Sequence, residues 1–283
     1  MNINETITDQ IIENLKNEVV PWKKPWSSSG IGSPINGLSG KPYRGINVFI
    51  LTLNDYPTPI WLTFKQAKIL GGKVKKGEKA TPICFWKWSE KQTDNGESER
   101  YSFLKHYNVF NISQCEVELP KKIKGLMESK PFNKVESLFK ADNLINKFVG
   151  KPVINHIKQN KAFYSPTIDS ITLPIKNQFD SQAEYYSTLF HELGHSTGHS
   201  KRLNRPGIEE IASFGSNNYS KEELIAEMTA AFLCGYCQID NTIENSTAYI
   251  KSWLTVLKDD NKMVISAASA AQKAFDHILG VKF

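Results

Sequence analysis

His191, Glu192 and His195 stand together in the run His191-Glu192-Leu193-Gly194-His195, inside a stretch whose pattern is helical. Residues four apart on an α-helix differ by about 40° around the axis and about 6 Å along it. Both imidazoles can therefore reach one divalent cation, which is what H-E-x-x-H supplies when it lies on a helix. Glu192 sits to one side of that face, where it can take a proton from water as the water attacks. The chemistry indicated is metal-dependent hydrolysis of amide bonds, with Glu192 as candidate catalytic base and His191 and His195 as candidate metal ligands.

A third ligand sets the class of such a site. Gly198 falls where metzincins carry a turn glycine, but their third histidine would then occupy position 201, which is Lys201. A carboxylate from a later helix is the better candidate, as in gluzincins, where a ligand glutamate is followed four residues on by an acid that orients a histidine. Glu223 and Glu227 have that spacing, which makes Glu223 the expected ligand and Glu227 the orienting acid. Ser220-x-x-Glu223 is also a capping-box pattern, which would turn Glu223 to the helix start and leave Glu227 to the metal. His199 is a further candidate. Three protein ligands with one open position suit a catalytic zinc, whereas a fourth protein ligand would close a structural site. The expected ion is Zn2+, and histidine with carboxylate also accommodates Mn2+.

A second pattern lies upstream, where cations alternate with aromatic rings: Trp22-Lys23-Lys24-Pro25-Trp26, Tyr43-Arg44, Lys73-Val74-Lys75-Lys76 and Trp86-Lys87-Trp88. Residues 21–88 hold 11 Lys and Arg against only Asp55 and Glu78. Cations attract phosphates, and exposed rings offer stacking surfaces to unpaired bases. Single-stranded nucleic acid therefore fits better than duplex, with Trp22, Lys23, Lys24, Trp26, Tyr43, Arg44, Lys73, Lys75 and Lys76 as candidate contacts. The competing reading makes Trp61, Phe85 and Trp86 core residues and the lysines a solvated face. Charge is segregated in the same sense: residues 1–125 carry 18 basic and 12 acidic residues, and residues 126–283 carry 17 of each, so the whole net charge of +6 lies in the first part.

The elements that must position these residues follow from periodicity and caps. An opening helix spans about 5–18, with Ile7, Ile11, Ile12 and Leu15 at helical spacing. Thr63 and Gln66 form a capping box for a short helix that Gly71-Gly72 closes. ATPICFWKW and FLKHYNVFN read as the strands of a β-hairpin, with Asn95-Gly96 in its turn. A lysine-rich, poorly periodic run over 120–131 marks the boundary between an α+β nucleic-acid-binding domain, 1–125, and a mainly helical domain, 126–283. The second domain opens with a helix near 135–148 and the strand AFYSPTIDSITLP, whose open edge could receive an extended peptide as protein substrate. Ser181 and Glu184 then cap the helix that carries His191 and His195; Ser220 opens the next, and helices near 248–258 and 264–279 complete the chain.

The 283 residues are 40% hydrophobic and 23% charged, which excludes disorder and fibrous repeats. No apolar run approaches the 18 or so residues of a membrane helix, and the polar N-terminus is unlike a signal peptide. Four cysteines are too few for a disulfide framework, and Cys234 and Cys237 read as buried structural residues. A cytoplasmic protein without membrane partners is expected.

Several separate motifs, in order, resemble the plasmid-borne antirestriction proteins of the ArdC family. They are Pro21-Trp22-x-x-Pro25-Trp26, Tyr43-Arg44-Gly45-Ile46-Asn47, Thr63-Phe64-Lys65-Gln66-Ala67, Val109-Phe110-Asn111-x-x-Gln114, Asp169-x-Ile171-x-Leu173-Pro174, the H-E-x-x-H run and Glu222-Glu223-Leu224-Ile225-Ala226-Glu227. The resemblance implies an N-terminal domain that binds single-stranded DNA, a C-terminal zincin-like metallopeptidase domain, and protection of DNA entering a host by conjugation. By motif position it assigns His191 and His195 to the metal and Glu192 to the base role, and it leaves Glu223 and Glu227 both open as third ligand. Three functions are compatible with these residues: an antirestriction protein with a peptidase site, a DNA-tethered metalloprotease acting on DNA-bound proteins, and a single-stranded-DNA-binding protein whose metal is purely structural.

Overall fold

The computed structural model describes residues 3–23, 32–54, 56–92, 98–128, 130–209, 217–242 and 247–281. Helix α1 (Ile3–Lys16) turns Ile7, Ile11, Ile12 and Leu15 inward, at the spacing read from the sequence. There follow β1 (Ile35–Asn36), α2 (Ile46–Leu53), β2 (Ile60–Thr63), α3 (Phe64–Ile69), β3 (Lys73–Val74), β4 (Thr81–Gln92), β5 (Ser98–Asn111) and β6 (Cys115–Glu116). Four strands form one sheet in the order β1-β2-β5-β4, parallel at β1–β2 and antiparallel elsewhere, while β3 and β6 pair separately.

The expected hairpin is present and longer than its sequence signal. β4 and β5 hold register from Thr81↔Val109 to Gln92↔Ser98, whereas β2 reaches only the end of β5, from Val109 to Asn111. Most of the hairpin is thus a two-stranded ribbon beyond the sheet; its expected Asn95-Gly96 turn lies outside the described residues. Asn47 of α2 fixes the base of the ribbon, donating to the Cys84 carbonyl at 2.6 Å and accepting from the Cys84 N–H at 2.8 Å. Thr63 and Gln66 cap α3 reciprocally, as expected, and Asn111 and Gln114 form the same box at the short turn 112–114. Two of the motifs in the first part are therefore caps.

The remaining elements are α4 (Lys121–Met127), α5 (Lys134–Lys147), β7 (Val153–Ile157), β8 (Phe163–Ser165), β9 (Ser170–Pro174), α6 (Gln182–Ser196), α7 (Pro206–Glu209), α8 (Asn217–Cys237), α9 (Thr247–Asp259) and α10 (Met263–Ile278). An α+β first part thus precedes a predominantly helical second one. Two expectations are corrected here. AFYSPTIDSITLP is two strands joined by a turn rather than one, and β9 lies between β7 and β8, so within this segment only β8 stands at an edge of the sheet. Helix α8 begins three residues before Ser220, so Ser220 is inside the helix, where its hydroxyl meets that of Ser252 at 2.8 Å. Glu223 is consequently not drawn back to a cap.

Helix α8 lies at the centre. Leu224, Ile225, Met228, Ala231 and Phe232 enter one core with α1, α2, α9 and α10, while Ala230, Leu233, Cys234 and Cys237 enter a second with α5, β9 and α6. A helix apolar on all sides is one buried on all sides. The first of these cores contains residues from both sides of the sequence boundary at 125. Trp22 lies edge-on to Phe49 and Trp253, with ring centroids 6.2 and 5.2 Å away, and Phe49 stacks on Phe232 at 4.9 Å. Arg44 pairs with Asp276 of α10, and Gln272 accepts from the Gly45 N–H at 2.9 Å. No described helix is long and apolar enough to cross a membrane.

Trp22 has no exposed surface and joins the two halves through one ring. Trp22→Ala should therefore lower the unfolding free energy by about 3–5 kcal/mol, in a single denaturant transition followed by far-UV circular dichroism. Survival of one half beyond the midpoint of the other would show that the shared core does not couple them.

Candidate metal centre

Helix α6 starts at Ser181, whose hydroxyl accepts from the Glu184 N–H at 3.0 Å, and carries His191 and His195 on the side that faces α8. The two helices approach closely at Gly194. A Cβ there would lie 3.0 Å from the Ala226 Cα and 3.2 Å from its carbonyl oxygen, so the glycine within H-E-L-G-H serves helix packing. The loop after α6 is tied down by two arginines. Arg202 donates to the Ser196 carbonyl at 2.6 Å and pairs with Asp169. Arg205 donates to the Gly194 carbonyl at 2.9 Å and to the Thr197 hydroxyl at 2.7 Å.

This packing brings three donor side chains together. His191 Nε2 and His195 Nε2 are 3.1 Å apart, and the Glu223 carboxylate oxygens lie 3.5 Å from the first and 3.6 Å from the second. A tetrahedral ion held at about 2.1 Å by each ligand sets those ligands about 3.4 Å apart. His191, His195 and Glu223 are the one such cluster among the described residues, and no fourth His, Cys, Asp or Glu joins them. His199 turns away and accepts from the Lys201 N–H at 3.1 Å.

Two further acids stand behind the histidines. Glu222 approaches His195 Nδ1 at 3.5 Å and is itself gripped by Arg205, whose Nε lies 2.9 Å and Nη2 2.5 Å from its oxygens. Glu227 Oε1 is 4.0 Å from His191 Nδ1, within electrostatic reach but beyond a hydrogen bond. Both His191 Nδ1 and the second Glu227 oxygen are buried without a hydrogen-bond partner. Glu192 is buried as well.

The electrostatics express an excess of buried carboxylate. Burial alone would lower the His191 imidazolium, but the Glu223 hydrogen bond and the charges of Glu227 and Glu192 outweigh it and bring its pKa to about 9. His195 is raised for the same reason, against burial, chiefly by Glu223 and Glu222. Burial raises the Glu223 carboxyl, yet His195, His191 and a hydrogen bond from Tyr219 reverse the shift and bring it to about 2. Glu227 rises to about 7, principally through burial and against the pull of His191. Two imidazole nitrogens and a carboxylate, backed by more negative charge, are a donor set that fits a divalent cation. By ligand type these residues suit either Zn2+ or Mn2+.

The aromatic and basic residues expected on DNA are mostly placed elsewhere. Trp22 and Tyr43 are core residues, so neither ring is available for stacking; alternation with lysine does not reveal which rings pack inward. Arg44 is occupied by Asp276, and half-buried Lys23 acts electrostatically on Glu227. Lys73, Lys75 and Lys76 do lie on the surface; Lys73 is 3.2 Å from Glu116 and Lys75 donates to the Ser113 carbonyl at 2.7 Å. Lys24 and Trp26 lie outside the described residues. Phe85 and Trp86, by contrast, are exposed, and Trp61 is buried. Sequence reasoning missed Tyr219 and the role open to Glu222. The i, i+4 spacing of Tyr219 and Glu223 was a usable signal for the first, whereas the pairing of Glu222 with Arg205 depends on a loop fold that spacing does not encode.

Two family models match separate parts of the chain. Residues 1–110 match the family of N-terminal domains of the anti-restriction factor ArdC, and residues 140–270 match the zincin-like metallopeptidase family. The chain is 36% identical over 98% of its length to a DNA primase TraC of Escherichia coli, and 30% identical over 97% to the uncharacterized protein y4eC of Sinorhizobium fredii. It spans 27% of that TraC and 20% of a second E. coli TraC, but 91% of y4eC. Crystal structures of the antirestriction protein ArdC from plasmid R388 superpose with a TM-score of 0.78. The metal-free form is 34% identical, covering 98% of this chain and 97% of that one; the Mn(II)-bound form is 32% identical, covering 99% and 98%.

Removing the acid behind a histidine ligand typically weakens a metal site 10- to 100-fold. Glu222→Gln should reduce Mn2+ affinity by that factor in isothermal titration, and Gly194→Val should reduce it further by spreading α6 from α8. Undiminished affinity in both variants would place the ion elsewhere.

Proposed function

The chain belongs to the ArdC antirestriction family, and on that membership and the geometry above we propose that it is a cytoplasmic antirestriction protein that binds single-stranded DNA and holds one divalent cation. The three donor atoms at 3.1, 3.5 and 3.6 Å carry the second half of this reading. His191, His195 and Glu223 are the proposed ligands, Glu222 the acid that orients His195, Glu227 a buried acid within electrostatic reach of His191, and the ion Zn2+ or Mn2+. Positive charge in residues 1–125 supports the DNA half, with the boundary near 125 dividing the two tasks while the core spans it. Four cysteines, all buried free thiols, suit the cytoplasm.

A hydrolytic reading is favoured by one specific observation: Glu192 is buried next to ligand His191, and among the described residues no fourth protein ligand closes the triad. A divalent cation held there supplies Lewis-acid polarisation of a carbonyl. The chain's own part is then to place Glu192 where it can accept a proton, with Tyr219 and Arg205 holding Glu223 and Glu222 so that the imidazoles keep their orientation. A DNA-bound protein is the substrate class this reading implies.

The readings diverge at one side chain. Glu192→Gln should leave Mn2+ affinity and single-stranded DNA affinity within about twofold, because the residue is neither a proposed ligand nor part of the basic region. If hydrolysis underlies protection, the variant loses protection of transferred DNA in a restricting host; if binding alone suffices, protection persists. Wild-type affinity for single strands should fall with salt at a slope of about −0.7 per phosphate contact, and a flat salt dependence would contradict the DNA reading.

A further inference from the structure

Beyond Ile83, which is buried in the core, one face of the β4–β5 ribbon carries exposed aromatic rings. Directly opposed residues of an antiparallel pair share a face, so Phe85 with Lys105, Lys87 with Phe103, and Ser89 with Tyr101 all project to one side, together with Tyr107 opposite Ile83. The four rings are each 39–46% exposed. Phe85 and Tyr107 meet edge-on at 5.7 Å, Tyr101 and Phe103 lie 6.1 Å apart, and Lys105 Nζ hangs 5.4 Å from the centre of the Tyr107 ring. Positions 83, 85, 87 and 89 with 101, 103, 105 and 107 include no acid, whereas Glu90 on the reverse side pairs with Arg100 at 2.9 Å. From the Tyr107 rung to the Tyr101 rung the face runs for six residues, or about 20 Å.

We propose that this face is the track on which an unpaired DNA strand lies, with Phe85, Tyr101, Phe103 and Tyr107 stacking on bases and Lys87 and Lys105 meeting phosphates. The inference rests on the single-stranded DNA reading above and names its surface. Rings alternating with lysines match a polyanion whose flat apolar groups are accessible. Duplex DNA hides those groups between its strands, and an apolar protein partner would have to bury both ammonium groups unpaired, which is costly. The ribbon stands beyond the four-stranded sheet, so a strand can approach it without displacing any described element.

The test uses the whole chain and a fluorescein-labelled thymidine oligonucleotide of about 15 nucleotides, followed by anisotropy across a salt series. Tyr101→Ala with Phe103→Ala should weaken binding at least fivefold, since each lost stack is worth roughly 5- to 150-fold. Lys87→Ala with Lys105→Ala should reduce the salt slope by about 1.4, at about 0.7 per phosphate contact. Trp86→Ala, on the reverse face, should keep affinity within threefold. Unchanged melting temperatures show that the variants fold. Independently, an oligonucleotide carrying 5-iododeoxyuridine should photocrosslink to one of the four rings in the wild-type chain. If wild type binds and the front-face variants bind equally well, or Trp86→Ala costs as much as they do, or crosslinks map elsewhere, this surface is wrong while the DNA reading stands. If wild type does not bind the oligonucleotide, both fall together.

Discussion

A helix buried on every side carries three carboxylates, and the helical part of the protein is organised around compensating them. Taking one carboxylate out of water costs several kcal/mol unless a partner is supplied. Arg205 supplies one for Glu222. The two imidazoles supply another for Glu223, which in turn stabilises the charged form of both histidines. Glu227 has no hydrogen-bonded partner for one of its oxygens and is driven toward its neutral form by burial. With Glu192 also buried, four buried acids surround the two imidazoles, and Arg205 is the arginine paired with one of them. Such a balance is a poor way to stabilise a core and a good way to attract a divalent ion.

The same helix couples the two parts of the chain. One side of α8 packs with residues of the basic N-terminal part and the other with α5, β9 and α6. The close crossing at Gly194 and Ala226 sets the distance at which Glu223 faces the imidazoles, so a change in packing is also a change in ligand geometry. In the N-terminal part the opposite design prevails: Asn47 secures the base of a ribbon on which Phe85, Tyr101, Phe103 and Tyr107 are exposed. One half is built to concentrate charge in a closed place, and the other to display rings and lysines.

Periodicity and caps made much of this legible in the sequence. The helix bearing His191 and His195, the capping box at Thr63, and the hairpin were readable because each depends on neighbours in sequence. Burial at Trp22 and Tyr43 was not readable, since a Pro- and Gly-rich run offers no period from which to infer an inward face. The ribbon's alternation was present in the letters, but only the register of β4 against β5 shows which rings and lysines share a side. AFYSPTIDSITLP contained a turn at Pro166–Asp169 that its β-rich flanks disguised, and Asp169 takes φ 49° there. The helix start three residues before Ser220 overrode a local capping pattern because packing on both faces, rather than its cap, stabilises α8.

The buried carboxylates between α6 and α8 form a donor set suited to a divalent cation. Anomalous diffraction from crystals of the chain soaked in Mn2+, recorded on both sides of the manganese edge, tests this directly. One strong peak is expected within about 2.3 Å of His191 Nε2, His195 Nε2 and a Glu223 oxygen, with Glu227 outside the coordination sphere. A map empty at that position, or a peak bound by Glu227 with Glu223 turned away, would contradict it.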